Sequence, residues 1–331
     1  MGVKWLFAFF SACWLVWSLG CLGDAPRDNP LDPAINPNNA SLSGQVLTLY
    51  PPRQPLVGAT VTLSPGGRLA RSDATGSFQF EGLAPGTYTL TAAHPGFAPD
   101  TEQVTVNSHQ VISVFLDALP VVDSLSLTTH HVARSFPPDD LYQYTLSAYI
   151  SDPDGLQDIA LAWYDISGEQ FLDTLVFQNA RNSRQGLYSV QRTAAQLPGG
   201  SLHRMVGKAF QLHVIDVAGN EITAAPLFIS RIIETIPTIV SPAGLSTVNQ
   251  FPVDLTWQPL ALPFPFHLRI DLHRVNLGLP TLLDTFEPIS PDSTRFTLTT
   301  PLTSGDYLWV LFIVDNLGNT SRSREGVFRV P

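Results

Sequence analysis

The sequence predicts an all-β protein built from three tandem β-sandwich domains, and three observations support this prediction. Hydrophobic residues make up 44% of the chain and charged residues only 14%, with 28 prolines and 23 glycines, a composition that favours short strands joined by turns. Apolar and polar residues alternate over many short stretches, as in half-buried strands. A length of 331 residues accommodates two or three domains, and we expect three.

The chain opens on an apolar segment. Lys4 precedes fifteen mainly apolar residues, from Trp5 to Leu19, which form the core of a signal peptide and are fewer than the ~20 residues of a membrane span. Gly20 and Cys21 follow. This order resembles the cleavage site of bacterial lipoproteins, in which the Cys is lipidated and becomes the mature N-terminus. The resemblance implies a signal peptide at residues 1–20 and a membrane anchor on Cys21.

Two alternatives remain open for this segment. Ser18 and Gly20 are small residues at the positions that an ordinary signal peptidase requires, which would give a secreted protein, and the segment could also stay as an uncleaved anchor. The cysteine count favours lipidation, because Cys13 lies inside the apolar core and the mature chain would keep Cys21 alone. Residues 21–40 are rich in Pro, Asp and Asn and predict an extended tether.

Residues 41–118 predict the first sandwich, with seven short strands. Alternation marks strands at 59–63, 78–80 and 88–92, and further strands end the domain. Turn residues separate them, at Asp73-Ala74-Thr75-Gly76 and Ala84-Pro85-Gly86. Together with Pro55-Leu56-Val57-Gly58-Ala59-Thr60-Val61, these segments resemble the carboxypeptidase regulatory-like (transthyretin-like) domain. The resemblance implies a fold and carries no chemistry.

Residues 119–235 and 236–331 predict two further sandwiches, which resemble immunoglobulin-like and fibronectin type III-like domains, respectively. An internal repeat links them: Asp216-Val217-Ala218-Gly219-Asn220 recurs as Asp315-Asn316-Leu317-Gly318-Asn319, each after an alternating strand. The offset is close to the ~100 residues of one sandwich. We expect a hairpin turn between the final two strands of each domain, with a binding role for these Asp and Asn residues as the alternative.

The sequence contains no motif that predicts catalysis. It has no His-Glu-x-x-His or His-x-x-Glu zinc motif and no Gly-x-Ser-x-Gly, and Gly207-Lys208 lacks the upstream glycine of a phosphate loop. We therefore expect neither enzymatic activity nor a cofactor. The formal net charge of −10 argues against a nucleic-acid partner.

Three carboxylates, Asp152, Asp154 and Asp158, lie within seven residues. Carboxylate oxygens are the ligands that Ca²⁺ prefers, but the spacing differs from that of an EF-hand loop. Because Asp-Pro-Asp-Gly is also a strong turn sequence, the preferred interpretation is a turn without a metal site. A calcium site is the alternative.

The tryptophans and one proline-rich apolar segment each have two interpretations. Trp163, Trp257 and Trp309 lie on alternating strands, which favours core packing over a sugar-stacking platform. Residues 259–266 contain four large apolar residues among three prolines, and an exposed contact loop is one interpretation of this segment.

Taken together, these observations predict a non-catalytic lipoprotein of the bacterial cell envelope, anchored at the outer membrane or cell surface. We expect it to act as an adhesion, scaffold or binding module whose partners are the membrane and a polysaccharide or envelope protein. A carbohydrate-binding protein is the first alternative, because the transthyretin-like sandwich belongs to a carbohydrate-binding-like fold group. An accessory chain of a secreted hydrolase or peptidase is the second.

Overall fold

The computed structural model describes residues 39–137 and 139–331. The predicted signal peptide, Cys21 and nearly all of the predicted tether lie outside these residues. The chain divides into two compact units, the first ending at Ala118 and the second spanning Leu119–Pro331. Across the described ranges, no helix has the length and apolar character needed to cross a membrane.

The first unit is a seven-stranded sandwich, as the sequence predicts. Its strands are β1 (Ala40–Thr48), β2 (Thr60–Ser64), β3 (Arg68–Arg71), β4 (Ser77–Leu83), β5 (Gly86–Ala93), β6 (Asp100–Val106) and β7 (His109–Leu116). One sheet has the order β4-β1-β7 and the other the order β3-β2-β5-β6. The alternating apolar residues of both sheets, such as Val61, Phe78 and Leu90, are buried between them. Their burial supplies the main stabilising free energy of this unit.

The predicted turn at residues 73–76 is present in the first unit. One carboxylate oxygen of Asp73 accepts hydrogen bonds from the backbone N–H groups of Thr75 and Ser77, at 2.8 and 2.9 Å. Gly76 closes the turn with a positive φ of 76° and donates its N–H to the Asp73 carbonyl. Asp at the first position and Gly at the last are what this turn requires, so the sequence determines how β3 and β4 are joined.

The second unit begins with eight strands that form the second sandwich. They are β8 (Val121–Val132), β9 (Leu141–Ser151), β10 (Ile159–Ile166), β11 (Leu172–Thr174), β12 (Val176–Ala180), β13 (Gln185–Thr193), β14 (Phe210–Asp216) and β15 (Glu221–Thr223). Four short 3₁₀ helices occur in the described residues, at Leu156–Asp158, Ala194–Gln196, Pro198–Gly200 and His203–Met205. The strand orders β12-β13-β9-β8 and β11-β10-β14-β15 are those of an immunoglobulin-like sandwich.

The third sandwich completes the second unit. Its strands are β16 (Ile239–Ser241), β17 (Ser246–Thr247), β18 (Val253–Trp257), β19 (Phe266–Asn276), β20 (Leu279–Ile289), β21 (Arg295–Leu298), β22 (Gly305–Asp315), β23 (Thr320–Arg322) and β24 (Gly326–Val330). The Tyr307 hydroxyl donates a hydrogen bond to the Thr303 carbonyl at 2.8 Å. A tyrosine bonded in this way at the start of a late strand is characteristic of immunoglobulin-like sandwiches.

The repeated turns both form hairpins, β14–β15 and β22–β23. In each, the amide of the Asp bonds to the Asn carbonyl, and the Gly amide bonds back to the Asp carbonyl. Gly219 and Gly318 have φ values of 91° and 85°, a conformation that only glycine adopts without strain. Each turn therefore joins the last two strands of its sandwich, as predicted; in the third sandwich the last strand is interrupted, and its segments β23 and β24 pair with the second and first halves of β22.

A continuous sheet connects the second and third sandwiches. Strand β23 pairs in parallel with β8, with Thr320 opposite His130 and Arg322 opposite Val132. The resulting ten-stranded sheet runs β12-β13-β9-β8-β23-β22-β19-β20; β24 continues the pairing of β23 along the first half of β22, and β17 pairs with β24. Each sandwich nevertheless has its own hydrophobic core. The proposed domain boundary near residue 235 stays a prediction.

Candidate functional site

The three clustered carboxylates lie on the loop between β9 and β10. Asp152 follows the last residue of β9, and one of its side-chain oxygens accepts the N–H of Asp154 at 2.8 Å. The Gly155 N–H donates to the Asp152 carbonyl at 3.1 Å. Asp158 ends the short 3₁₀ helix that leads into β10. The segment is therefore a turn, as the sequence predicts, and the turn draws the three side chains together.

These carboxylates are close together and two of them are buried. One oxygen from each of Asp152, Asp154 and Asp158 lies within 4.8 Å of the others. Asp152 is fully buried and Asp158 is 6% exposed, whereas Asp154 is half-buried. No donor among the described residues reaches the buried Oδ2 atom of Asp152. A buried carboxylate oxygen without a partner is costly, so it calls for a ligand or for protonation.

A fourth carboxylate comes from the first copy of the repeated turn. Asp216 is 1% exposed, and one of its oxygens lies within 4.8 Å of an oxygen of Asp158. The adjacent Val217 N–H donates to the Asp158 carbonyl at 2.8 Å, which fixes the two loops against each other. Sequence analysis missed Asp216 as a member of this cluster, because it assigned the residue to a turn alone and nothing local indicates the long-range contact.

Burial and negative charge together raise the pKa of Asp152 to about 6. Burial is the larger cause, and the charges of Asp158, Asp154 and Asp216 add to it, while the hydrogen bond from the Asp154 backbone opposes the shift. Every charged group that acts on this carboxyl is another carboxylate. The site is thus strongly electronegative.

The second copy of the turn is in a different electrostatic environment. Asp315 is buried, and its Oδ2 pairs with the Arg231 guanidinium at 2.5 Å. Burial acts to raise the pKa of Asp315, but hydrogen bonds from the Asn319 side chain, from backbone amides and from Arg231 outweigh it and hold the pKa below its usual value. The same five-residue motif therefore lies among carboxylates in one sandwich and against a cation in the other.

This second turn also forms the junction between the two sandwiches. The fully buried Asn319 accepts the Thr129 N–H of β8 at 2.9 Å and donates to the Ser230 hydroxyl at 3.1 Å. The Thr129 hydroxyl donates to the Arg231 carbonyl at 2.6 Å. The Arg231 guanidinium in turn lies over the Phe264 ring, 3.9 Å from its centroid. Buried polar networks that are fully satisfied fix one arrangement of the elements they join.

A groove with a volume of about 780 Å³ crosses the continuous sheet beside this junction. Both sandwiches line it. His130 and Gln143 come from β8 and β9, and Arg269 and Phe312 come from β19 and β22. The Arg269 guanidinium stacks on the Phe312 ring at 4.0 Å. The groove thus combines hydrogen-bonding groups with an aromatic face, which suits a polar ligand.

The three tryptophans divide into two groups. Trp257 and Trp309 are 2% and 0% exposed and pack together with ring centroids 6.5 Å apart, which confirms the core prediction for both. The prediction is wrong for Trp163, which is half-buried and stacks on His213 at 4.0 Å. On β10 the inward positions belong to Ala162 and Tyr164, so Trp163 faces the other side of the sheet. A platform of three tryptophans does not form.

The segment at residues 259–266 is not an exposed contact loop. Its large apolar residues are half-buried and pack against the core of the third sandwich; they are Leu260, Leu262, Phe264 and Phe266. The prolines between them are exposed at positions 259, 263 and 265. The apolar side chains alternate inward although only Phe266, the first residue of β19, has a strand partner, which is why the sequence pattern was ambiguous.

Comparison with known proteins identifies the first domain. Residues 41–117 match the family model of the carboxypeptidase regulatory-like domain, which confirms the resemblance stated for this part of the chain. The match covers less than a quarter of the 331 residues, so it classifies this domain and not the whole protein. No curated protein matches the chain.

Among solved structures, the chain is similar to several multidomain β proteins. BcpA, the major pilin subunit of Bacillus cereus, is 10% identical over 85% of this chain and 91% of its own, with a TM-score of 0.32. Fibronectin(III)-like modules of CbhA from Clostridium thermocellum are 11% identical over 64% and 93%, with a TM-score of 0.29. A proposed carbohydrate-binding protein from Bacteroides uniformis is 13% identical over 58% and 99%, with a TM-score of 0.25. Similarity at this level carries no argument about function.

Proposed function

We propose that this protein is a non-catalytic lipoprotein of the bacterial cell envelope that acts as a scaffold or binding module. The N-terminal lipid on Cys21 attaches it to the membrane, and its sandwiches hold a binding surface away from the bilayer. The envelope partner is a polysaccharide or a protein. The proposal rests on the lipoprotein-like segment of the sequence for the location, and on the second unit for the role.

The continuous sheet between the second and third sandwiches is the observation that carries the scaffold role. Tandem domains joined only by a linker move relative to one another by default. Here the β8–β23 pairing and the buried bonds of Asn319 and Arg231 oppose such motion. A scaffold requires a fixed spacing between its parts, and this junction provides it.

The groove over the junction supports the binding role. Because residues of both sandwiches line it, its shape depends on their fixed arrangement. Arg269 and Arg322 supply cationic donors, and Phe312 supplies an aromatic face. Arginine and aromatic residues dominate the energetics of many binding surfaces. We therefore place the contact with the envelope partner in this groove.

The anchor is tested by replacing Cys21 with Ser in the full chain. We expect the wild-type protein to remain in the membrane fraction and to carry acyl chains by mass spectrometry, and the Cys21→Ser protein to become soluble or unprocessed, because serine provides no thiol for lipidation. An equal membrane content of both proteins, without acyl chains, would contradict the anchor.

The binding role is tested with Arg269→Ala, using isolated envelope polysaccharide and envelope protein fractions as probes. We expect the wild-type chain to bind one of them and the variant to bind on the order of tenfold more weakly. Arg295→Ala is the matched control, because Arg295 is 72% exposed on β21 and does not line the groove. Equal binding by the two variants would place the contact elsewhere, and binding to neither fraction would argue against the proposed role.

A further inference from the structure

We propose that the carboxylate cluster of the second sandwich is a calcium-binding site. Asp152, Asp154 and Asp158 supply the ligands from the β9–β10 loop, and the nearby Asp216 of the β14–β15 turn adds negative charge beside them. This inference is independent of the envelope role and of the groove. It assigns a metal ion to a chain whose sequence has no metal-binding motif of known spacing.

The geometry of the cluster fits one ion. Calcium binds oxygen ligands at about 2.3–2.6 Å, so two oxygens on opposite sides of the same ion are about 4.6–5.2 Å apart and any other pair is closer. The oxygens of Asp152, Asp154 and Asp158 all satisfy this limit, and so do those of Asp158 and Asp216. A single ion can therefore contact Asp152, Asp154 and Asp158 with little movement of the chain, while Asp216 lies beside Asp158 and adds negative charge to the site. Calcium tolerates irregular coordination, whereas Mg²⁺ needs near-ideal octahedral geometry and retains water.

The partnerless oxygen of Asp152 is an independent indication that the site takes a cation. This side chain is fully buried, and its Oδ1 atom already accepts the Asp154 amide. Its Oδ2 atom is buried without a donor among the described residues, and the carboxyl group lies against the other two. If the segment served only as a turn, a neutral side chain at position 152 would avoid the cost of burying a carboxylate oxygen that has no donor. A bound divalent cation would satisfy the oxygen and offset the repulsion between the carboxylates.

Comparison with the second copy of the turn explains why this copy needs an ion. Asp315 occupies the position equivalent to Asp216, and the protein supplies Arg231 as its counter-charge. The charges that act on Asp152, next to Asp216, are all negative. In the third sandwich, the Arg231 guanidinium supplies the positive charge beside the repeated turn. In the second sandwich, the geometry points to a bound metal ion in this role.

The test is calcium titration of the purified full chain, followed by thermal unfolding in EDTA, CaCl₂ or MgCl₂. We expect calorimetry to detect one site for Ca²⁺, and Ca²⁺ at about 100 times its dissociation constant to raise the unfolding temperature of the second unit by about 5–10 °C. No binding at millimolar Ca²⁺ would overturn the proposal. Equal stabilisation by Mg²⁺ would overturn the assignment to calcium.

The variant Asp152→Asn separates a ligand from a structural residue. Asparagine keeps the oxygen that accepts the Asp154 amide and removes one negative charge, so we expect it to fold. Its calcium affinity should fall by at least tenfold, and in EDTA it should unfold at the same or a higher temperature than the wild type, because one repulsive charge is gone. The matched control is Asp123→Asn, an exposed carboxylate on β8. A lower unfolding temperature in EDTA with an unchanged calcium response would overturn the proposal.

Discussion

Replacing Trp309 with Ala should lower the free energy of unfolding of the second unit by about 3–5 kcal/mol. The side chain is fully buried in the third sandwich, where it packs against Trp257. Its indole N–H donates to the Pro242 carbonyl at 2.9 Å, so the variant also leaves that carbonyl without its donor. Gly326 allows the ring to lie against the backbone of β24, since a Cβ atom there would be 2.5 Å from the indole nitrogen. The loss is measured by urea unfolding of the full chain, followed by circular dichroism.

Trp163→Ala is the matched control for this prediction. Trp163 is half-buried on the outer face of β10, and its main aromatic contact is the stacked His213 ring. Its removal should cost only about 1 kcal/mol. Equal losses of stability in the two variants would contradict the assignment of Trp309 to the core and of Trp163 to the surface. The sugar-stacking interpretation would regain support if Trp309→Ala instead left stability unchanged and abolished binding to a glycan array.

Replacing Asn319 with Ala should destabilise the second unit by about 2–3 kcal/mol, the second-largest effect that we expect. Asn319 accepts the buried Thr129 amide across the junction, and the alanine variant leaves that N–H without a partner. It also removes the side-chain bonds to Ser230 and Asp315. Urea unfolding of the full chain measures this loss.

The repeat provides a matched control, Asn220→Ala. Asn220 makes the equivalent bonds with Asp216 in its own hairpin and is only half-buried. We expect a loss of about 1 kcal/mol, since part of each broken bond is replaced by water. If Asn220→Ala cost as much as Asn319→Ala, the bonds within the hairpin would account for the whole effect and the junction contact would contribute nothing.

The sequence was sufficient to predict the fold of the separate sandwiches. The alternating residues of β5, β9 and β22 predicted strands, and Asp73 and Gly76 predicted the turn between β3 and β4, because these signals are local. Trp163 shows the limit of such reasoning. On a strand where both neighbours are also apolar or aromatic, alternation identifies a strand and does not say which face is inside.

The junction and the acidic cluster could be predicted only in part. Asp152, Asp154 and Asp158 are close in sequence, so their grouping was visible, but the approach of Asp216 was not. The two repeated turns look equivalent in sequence, and their difference arises from Arg231, which is far from Asp315 along the chain. Likewise, nothing local to Asn319 indicates its bond to Thr129. Long-range pairing of this kind depends on how the two sandwiches pack, which hydrophobic patterns do not specify.

Native-state hydrogen exchange tests most directly whether the second and third sandwiches behave as one body. Peptides from β9 and β19 report on the two cores separately. Because a continuous sheet and a buried polar junction connect these cores, we expect both peptides to exchange through the same opening, with equal free energies at each denaturant concentration. If one peptide opened at a free energy lower by more than about 1 kcal/mol, the sandwiches would unfold independently and the fixed scaffold would be contradicted.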